Sequence, residues 1–448
     1  AVDTSFFAPD VEFLNIVLLP YDYEIGEVSV IGSGPDKLPG KTKEILSQEY
    51  ITESFAGSFI KSIDQISGIN SMDIGAGSSK PVIRGMAFNR VVVSENNIKQ
   101  EGQQWGADHG LEIDPFLAES IEIVKGTSAL EFGSDAVGGY INIKNNSIPA
   151  RNSLNASVLL TARTVNQFVG SSLYLKGRKE HLFFKFRVTG FDYADYAVPT
   201  DTIVYLTRKI PIYNRRLKNT SGNEYDLFLQ TGILYTRFKS VLSMSRVDQT
   251  SGFFPGSHGV PDLNRVEDDG DRRDVDFPYQ NANHLKISNN TSFYLKNGML
   301  TFDLSFQDNI RNENSEFHTH YPGQEAPTTD PNLELAFHLR SYQLNLIYET
   351  NISHTHDISF GVQNALKENS VNGYNFLLPN YTQFTSGIFF KDVVTLSDRL
   401  VISGGIRYAL SVMNTLAFYD NIVYDWFSDR NYPSDIVDFY AQRSIDLD

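Results

Sequence analysis

From residue 154 onward the chain alternates apolar and polar side chains with a period of two. Residues 156–162 put Ala156, Val158, Leu160 and Ala162 on one face, and residues 182–188 do the same with Leu182, Phe184, Phe186 and Val188. The pattern returns at Leu285, Ile287, Phe293 and Leu295, at Leu300, Phe302, Leu304 and Phe306, and at Leu400, Ile402, Ile406 and Tyr408. Lys, Asn, Ser, Thr, Asp, Gln and Arg stand between them. Successive side chains of a strand point to opposite faces, so this spacing predicts strands with one wet face and one apolar face. The expected strands cover about 154–163, 168–177, 181–195, 223–235, 238–249, 282–296, 299–313, 333–350, 357–368, 381–395 and 399–414. Their lengths of roughly 10 to 15 residues exceed the 5–6 common in soluble sheets.

A soluble sandwich alternates too, and the connections separate the two architectures. "GRKE" (177–180), "TRF" (236–238), "KNG" (296–298), "NISHTH" (351–356) and "LSD" (396–398) are tight, whereas 196–222, 250–281, 314–332, 369–380 and the tail after 414 are long. Tight and long joints in strict alternation are expected of a membrane barrel, with short turns facing the periplasm and long loops facing outside. No run of about 18 apolar residues occurs, which excludes a spanning helix but not a spanning strand. The opening "AVDTSFFAPD" has neither the basic start nor the apolar centre of a signal peptide, so an exported chain is already processed or begins internally.

Length and charge narrow the function. At 448 residues the chain exceeds one ordinary core, so several domains or one large β architecture are expected. With 38 basic against 54 acidic side chains the net charge is −16, which leaves no basic face for nucleic-acid phosphates. Cysteine is absent, removing disulfides and thiolate metal sites.

Before residue 147 the pattern is mixed. "SQEYITESFAGSFIKSIDQI" can place Ile51, Phe55, Phe59 and Ile63 on one helical face, and "VIRGMAFNRVVVSEN" reads as strands. "KPVIRGMAFNRVVVSENNIK" followed by "DPFLAESIEIVKGTSALEFGSDAVGGYINIK" resembles the plug domain of the TonB-dependent outer-membrane receptors. The matching residues include Arg84-Gly85, Ile121 to Gly126, Ser128, Phe132-Gly133, Ala136, Gly138-Gly139 and Ile141 to Ile143. Glycines at 133, 138 and 139 suit a compact sheet with close backbone approaches.

The resemblance implies a mainly β fold, an α+β plug within a transmembrane antiparallel β-barrel of about 22 strands, of which about 11 are present here. An odd number of strands cannot close an antiparallel ring, so the chain reads as truncated in the barrel. The implied organisation is the end of a small N-terminal β-domain and the TonB-box region over 1–40, the plug over 41–146, and the first half of the barrel over 147–448. The box candidate is Glu27, Val28, Ser29, Val30 and Ile31, which would add as a strand to the periplasmic energy transducer. Lone short matches of this kind also occur in ordinary strands.

By the same resemblance the protein is no enzyme, needs no catalytic cofactor, and sits in the outer membrane of a Gram-negative bacterium. It would take up a scarce nutrient with TonB and its inner-membrane motor as partners, beside outer-membrane lipid, a small nutrient or metal ligand, and room for an accessory surface lipoprotein. "QQWGADHGLEIDPF" (103–116) falls at the plug apex. Its Asp108-His109 resembles the pair of plug ligands in the zinc-importing branch of the family, while "EFLNIVLLP" followed by "GEVSVIG" upstream resembles receptors of Bacteroidetes-type bacteria. Carboxylate and imidazole suit Zn²⁺ as cargo, and Glu316, His318, His320 and His258 are candidates to complete the shell, the His pair at i, i+2 sharing one side of a strand end. Haem, siderophore or cobalamin import, and a non-transporting adaptor barrel, are the alternatives. The acidic run "EDDGDRRDVD" (267–276) matches no calcium-loop spacing and reads as a solvated loop.

Overall fold

The alternation of the sequence becomes one large sheet. In the computed structural model the described residues are 43–443 apart from 74, 103–108, 126, 258–259, 268, 320–324, 327–329, 354, 376, 398–399, 417, 420–423 and 425–426. The proposed box, 27–31, and Asp108, Gly126, His258 and His320 lie outside them.

Residues 43–144 build a small domain around a five-stranded sheet. Its strands are β1 (Lys43–Ser47), β4 (Val91–Glu95), β5 (Ile98–Lys99), β6 (Ser120–Val124) and β7 (Gly139–Lys144), in the order β1-β6-β7-β4-β5, while β2 (Ile69–Asp73) and β3 (Ser79–Ile83) form a separate hairpin. Only β4 and β7 run parallel. The core is made of the domain's own aliphatic side chains, among them Ile51, Ile63, Ile83, Val93, Ile121, Ile123, Ile141 and Ile143.

The continuous helix expected over 47–66 does not form. The α-helix stops at Glu53 after six residues, and a 3₁₀ turn follows at Lys61–Ile63. Gly57 breaks it: its φ is +108°, and a Cβ there would stand 2.5 Å from the Ala76 carbonyl oxygen. Ile51, Phe59 and Ile63 still reach the core, whereas Phe55 leaves it to pack against Phe168 and Phe191 of the second sheet.

Of the glycines in the plug-like motif, Gly138 is fixed by a close approach. A Cβ on it would lie 2.8 Å from both the Arg90 carbonyl oxygen and Met86 Cβ, and its N–H donates to that same oxygen at 2.7 Å. Gly139 is crowded in the same way by Ile83. Gly133 has open space, and there the φ of +113° is what demands glycine. Arg84-Gly85 makes the left-handed turn that lets Ile83 and Met86 bridge. Gly138→Ala is expected to cost about 1–3 kcal/mol through overpacking against backbone, visible as faster amide exchange along β4 and β7. Unchanged exchange would show that the backbone there can yield.

From residue 153 on, eleven antiparallel strands form the second sheet: β8 (Ser153–Arg163), β9 (Phe168–Lys179), β10 (Leu182–Tyr193), β11 (Gly222–Tyr235), β12 (Phe238–Gly252), β13 (Tyr279–Leu295), β14 (Gly298–Asn314), β15 (Leu333–Ser353), β16 (His356–Asn372), β17 (Tyr381–Ser397) and β18 (Leu400–Thr415). Each pairs with its sequence neighbours, so the sheet is an up-and-down meander whose end strands are β8 and β18. The turns at one end are tight. The other end carries long loops with one exception, the four-residue link 164–167 between β8 and β9, so the alternation of joints is not strict.

The two faces of this wall are inverted relative to a soluble sheet. On β10, Leu182, Phe184 and Val188 are exposed, while Lys185, Arg187 and Thr189 between them are buried. On β14, Leu304 and Ile310 face outward, and Asp303, Gln307, Asn309 and Arg311 are buried. The concealed polar face looks onto the small domain, which the contacts below establish. No described helix is long and apolar enough to cross a membrane, which leaves open a crossing by strands.

Candidate functional site

Polar side chains of the wall meet polar side chains of the small domain along a continuous seam. Its most buried part centres on Glu112, which is fully enclosed. Arg311 of β14 donates to Glu112 and, at 3.1 Å, to the Gly110 carbonyl, while Asn309 Nδ2 lies 3.3 Å and His284 Nδ1 3.5 Å from the other Glu112 oxygen. Burial alone would push the Glu112 carboxyl up, but Arg311 and His284 outweigh it and hold it at about 2. Gln307 and Gln343 each donate to the Lys99 carbonyl at 2.8 Å.

The same device recurs around the seam. Lys185 Nζ lies 2.8 Å from Glu119 and donates to the Asn145 carbonyl at 2.7 Å, and Tyr174 also donates to Glu119. Burial raises the Glu119 carboxyl and the Lys185 ammonium overrides it, leaving the group below its ordinary range. Lys286 pairs with Glu95, Lys367 with Glu101 at 2.7 Å, and Lys391 with Glu131 at 2.9 Å. In each pair the cation belongs to the wall and the carboxylate to the small domain. Towards β15–β18 the contact opens into a cavity of about 650 Å³, lined by Phe132, Tyr140, Gln343, Lys367, Tyr381 and Arg407 among others.

Residues 37–140 match the family model "TonB-dependent Receptor Plug Domain". The chain has the fold of a TonB-dependent receptor. A mutant of the ferric enterobactin receptor of Pseudomonas aeruginosa superposes with a TM-score of 0.63 at 12% identity over 83% of this chain and 58% of that one. The FrpB iron transporter of Neisseria meningitidis gives 0.62 at 15% over 83% and 60%, and the copper transporter OprC gives 0.62 at 13% over 83% and 55%. The chain therefore spans a little over half the length of these structures, and at such identity the likeness is one of fold. The small domain is the plug and the large sheet the barrel wall. The outward face of this wall is apolar, as on the lipid-facing side of a barrel of this fold.

The expected site residues are only partly brought together. His109 is buried, its ring edge-on to Phe337 and its Nε2 2.5 Å from Glu313 Oε1 near the long-loop end of β14. Glu316 is 2.7 Å from Arg265. His318 does not sit on a strand, since β14 ends at Asn314; its Nδ1 lies 3.0 Å from the Glu316 carbonyl and its Nε2 3.8 Å from Glu334. The i, i+2 strand geometry expected for His318 and His320 thus fails at His318. In the acidic loop, Asp269, Asp274 and Asp276 do converge, and Lys218 lies 2.7 Å from Asp269 and 3.6 Å from Asp276.

What the sequence reading missed is the seam itself. Its signal was present as charges at the polar positions of alternating strands, Lys185, Arg187, Asp226, Arg311, Lys367 and Lys391, where a soluble sheet would simply wet them.

Proposed function

We propose that the protein takes up a scarce nutrient across the outer membrane through a TonB-driven displacement of its plug, with a metal species as cargo and Zn²⁺ preferred. The supporting observation is the chemistry of the seam. The plug's main apolar core is closed on itself, and beside one apolar contact, Phe55 with Phe168 and Phe191, its hold on the wall runs through Glu112–Arg311, Glu119–Lys185, Glu95–Lys286 and Glu101–Lys367. Buried ion pairs of this kind add less stability than apolar packing of the same volume, and water can replace the partners when they separate. A plug held this way can move without opening its core. An adaptor barrel would gain more from an apolar seam, so transport is the better reading.

For the cargo, His109 and Glu313 supply a borderline nitrogen and a hard oxygen at the long-loop end of the wall. Asp108, Glu316, His318, His320 and His258 are the groups from which a shell would be completed. Two such groups alone hold an ion weakly, so binding is coupled to closure of the loops that supply the rest of the shell, and it weakens below about pH 6 as imidazole ligands protonate. Calorimetry on the intact protein is expected to show most of the Zn²⁺ affinity lost in the Asp108→Ala, His109→Ala double variant. His181→Ala, whose ring stacks on Tyr235 at the short-turn end, is expected to leave affinity unchanged. Equal affinity in the double variant would move the cargo to an organic metal chelate, as the ferric enterobactin receptor's name records for that relative. Uptake of labelled zinc that persists without the inner-membrane motor would sink the energised reading.

A further inference from the structure

We infer that the plug is latched to the wall by a proton-sharing carboxyl cluster, Asp114 with Glu224 and Asp226, that releases the plug as the protons leave. Glu224 and Asp226 are consecutive inward positions on β11, and Asp114 meets them from the plug. All three are at least nine-tenths buried. Asp114 accepts from the Phe116 N–H at 2.9 Å and from the Thr189 hydroxyl at 3.0 Å. Glu224 accepts from Gln249 Nε2 at 2.5 Å. Among the described residues, neither oxygen of Asp226 receives a hydrogen bond. Asp226 and Asp114 instead line a small cavity together with Glu95, Lys286 and Ser245.

The charges facing this cluster do not balance it. Five carboxyl groups, Glu95, Glu112, Asp114, Glu224 and Asp226, converge on the seam against Arg187, Lys286 and Arg311, with the His284 ring beside Glu112. Lys286 is held by Glu95 and Arg311 by Glu112. Arg187 directs its guanidinium to the Ser172 hydroxyl at 2.9 Å and over the Tyr174 ring at 4.2 Å. Asp248, on the neighbouring strand, is on the outward face with Arg246 at 2.7 Å. Two adjacent carboxylates with no cation of their own, one of them without a donor, cannot both ionise in a dry seam. A proton carried between them removes the repulsion and turns one group into a donor for the other. Burial also raises the plug's Asp114 carboxyl. A metal ion is the weaker occupant, because the ligand atoms of these groups are not among those that converge within coordination reach.

The sign follows from linkage. A carboxyl group that keeps its proton only in the latched state binds more protons there than in the released state. Latching is then strongest in acid and weakens as pH rises from about 4, the ordinary carboxyl range. The opening constant of the plug is expected to rise by about tenfold per pH unit for each proton released.

The test is amide hydrogen exchange along β4, β6 and β7 in the whole protein in lipid vesicles, between pH 5 and 8, corrected for the intrinsic pH dependence of exchange. Protection is expected to fall with pH in the wild type, and Glu224→Gln with Asp226→Asn to flatten that slope while keeping the plug protected at pH 8. A wild-type profile that is already flat overturns the proposal without recourse to any variant, as does a slope that survives both substitutions. Restoration of wild-type protection at pH 8 by added Ca²⁺ or Zn²⁺ would overturn it in favour of a cation site. None of these outcomes depends on which cargo is carried.

Discussion

Val28→Pro is expected to abolish energised uptake while leaving ligand capture at the cell surface unchanged. The proposed box, Glu27 to Ile31, lies outside the described residues, and the expectation rests on how an added strand binds. Main-chain N–H groups supply the affinity of strand addition, and proline removes one and fixes φ. Val28→Ala keeps the N–H and is expected to retain most of the uptake. The pair of variants thus separates loss of the backbone donor from loss of the side chain. Transport by the proline variant at the wild-type rate would remove the assignment, and loss of ligand capture in the same variant would point to a folding defect instead.

The second large effect is expected at the seam. Arg311→Met leaves Glu112 enclosed with its charge and without the guanidinium that faces it, with a cost of about 3–5 kcal/mol for breaking a buried pair. Arg311→Met with Glu112→Leu removes both charges, and it is expected to recover most of the loss because the uncompensated carboxylate is gone. The readout is plug protection in amide exchange, together with the passive leak of a small solute through the barrel. A single variant as well protected as the wild type would show that the pair contributes nothing to plug retention. The pH dependence has the opposite sign to that of the carboxyl cluster. Glu112 is held at about 2 by Arg311 against its burial, so its contribution is fully present above about 4.3 and is lost as pH falls through the lowered value. The seam is thereby loosened from both ends of the pH scale, by Glu112 in strong acid and by the Asp114 cluster as pH rises.

By itself the sequence determined the wall. Period-two alternation at Leu182 to Val188 and at Leu400 to Tyr408, with joints such as "KNG" and "TRF", located all eleven strands. Strand formation there depends on local alternation and turn chemistry, which are written in consecutive residues. The glycine-bearing motif likewise marked the plug, since Gly138 is required by a backbone approach that no other residue allows. Sequence could not determine which polar face was wet and which was dry. Lys185, Asp226 and Arg311 occupy the same alternating positions as solvated side chains would, and only the plug standing against the wall buries them. Nor could it foresee the glycine turn that interrupts the expected helical face at Gly57, where the carbonyl of Ala76 nineteen positions on leaves no room for a Cβ. The tertiary structure also decided the fate of His109, adjacent to Asp108 in sequence but paired with Glu313 across the seam. Charge pairs such as Glu112 with Arg311 join residues far apart in the chain, and no local pattern encodes a partner that only the packing of plug against wall brings within reach.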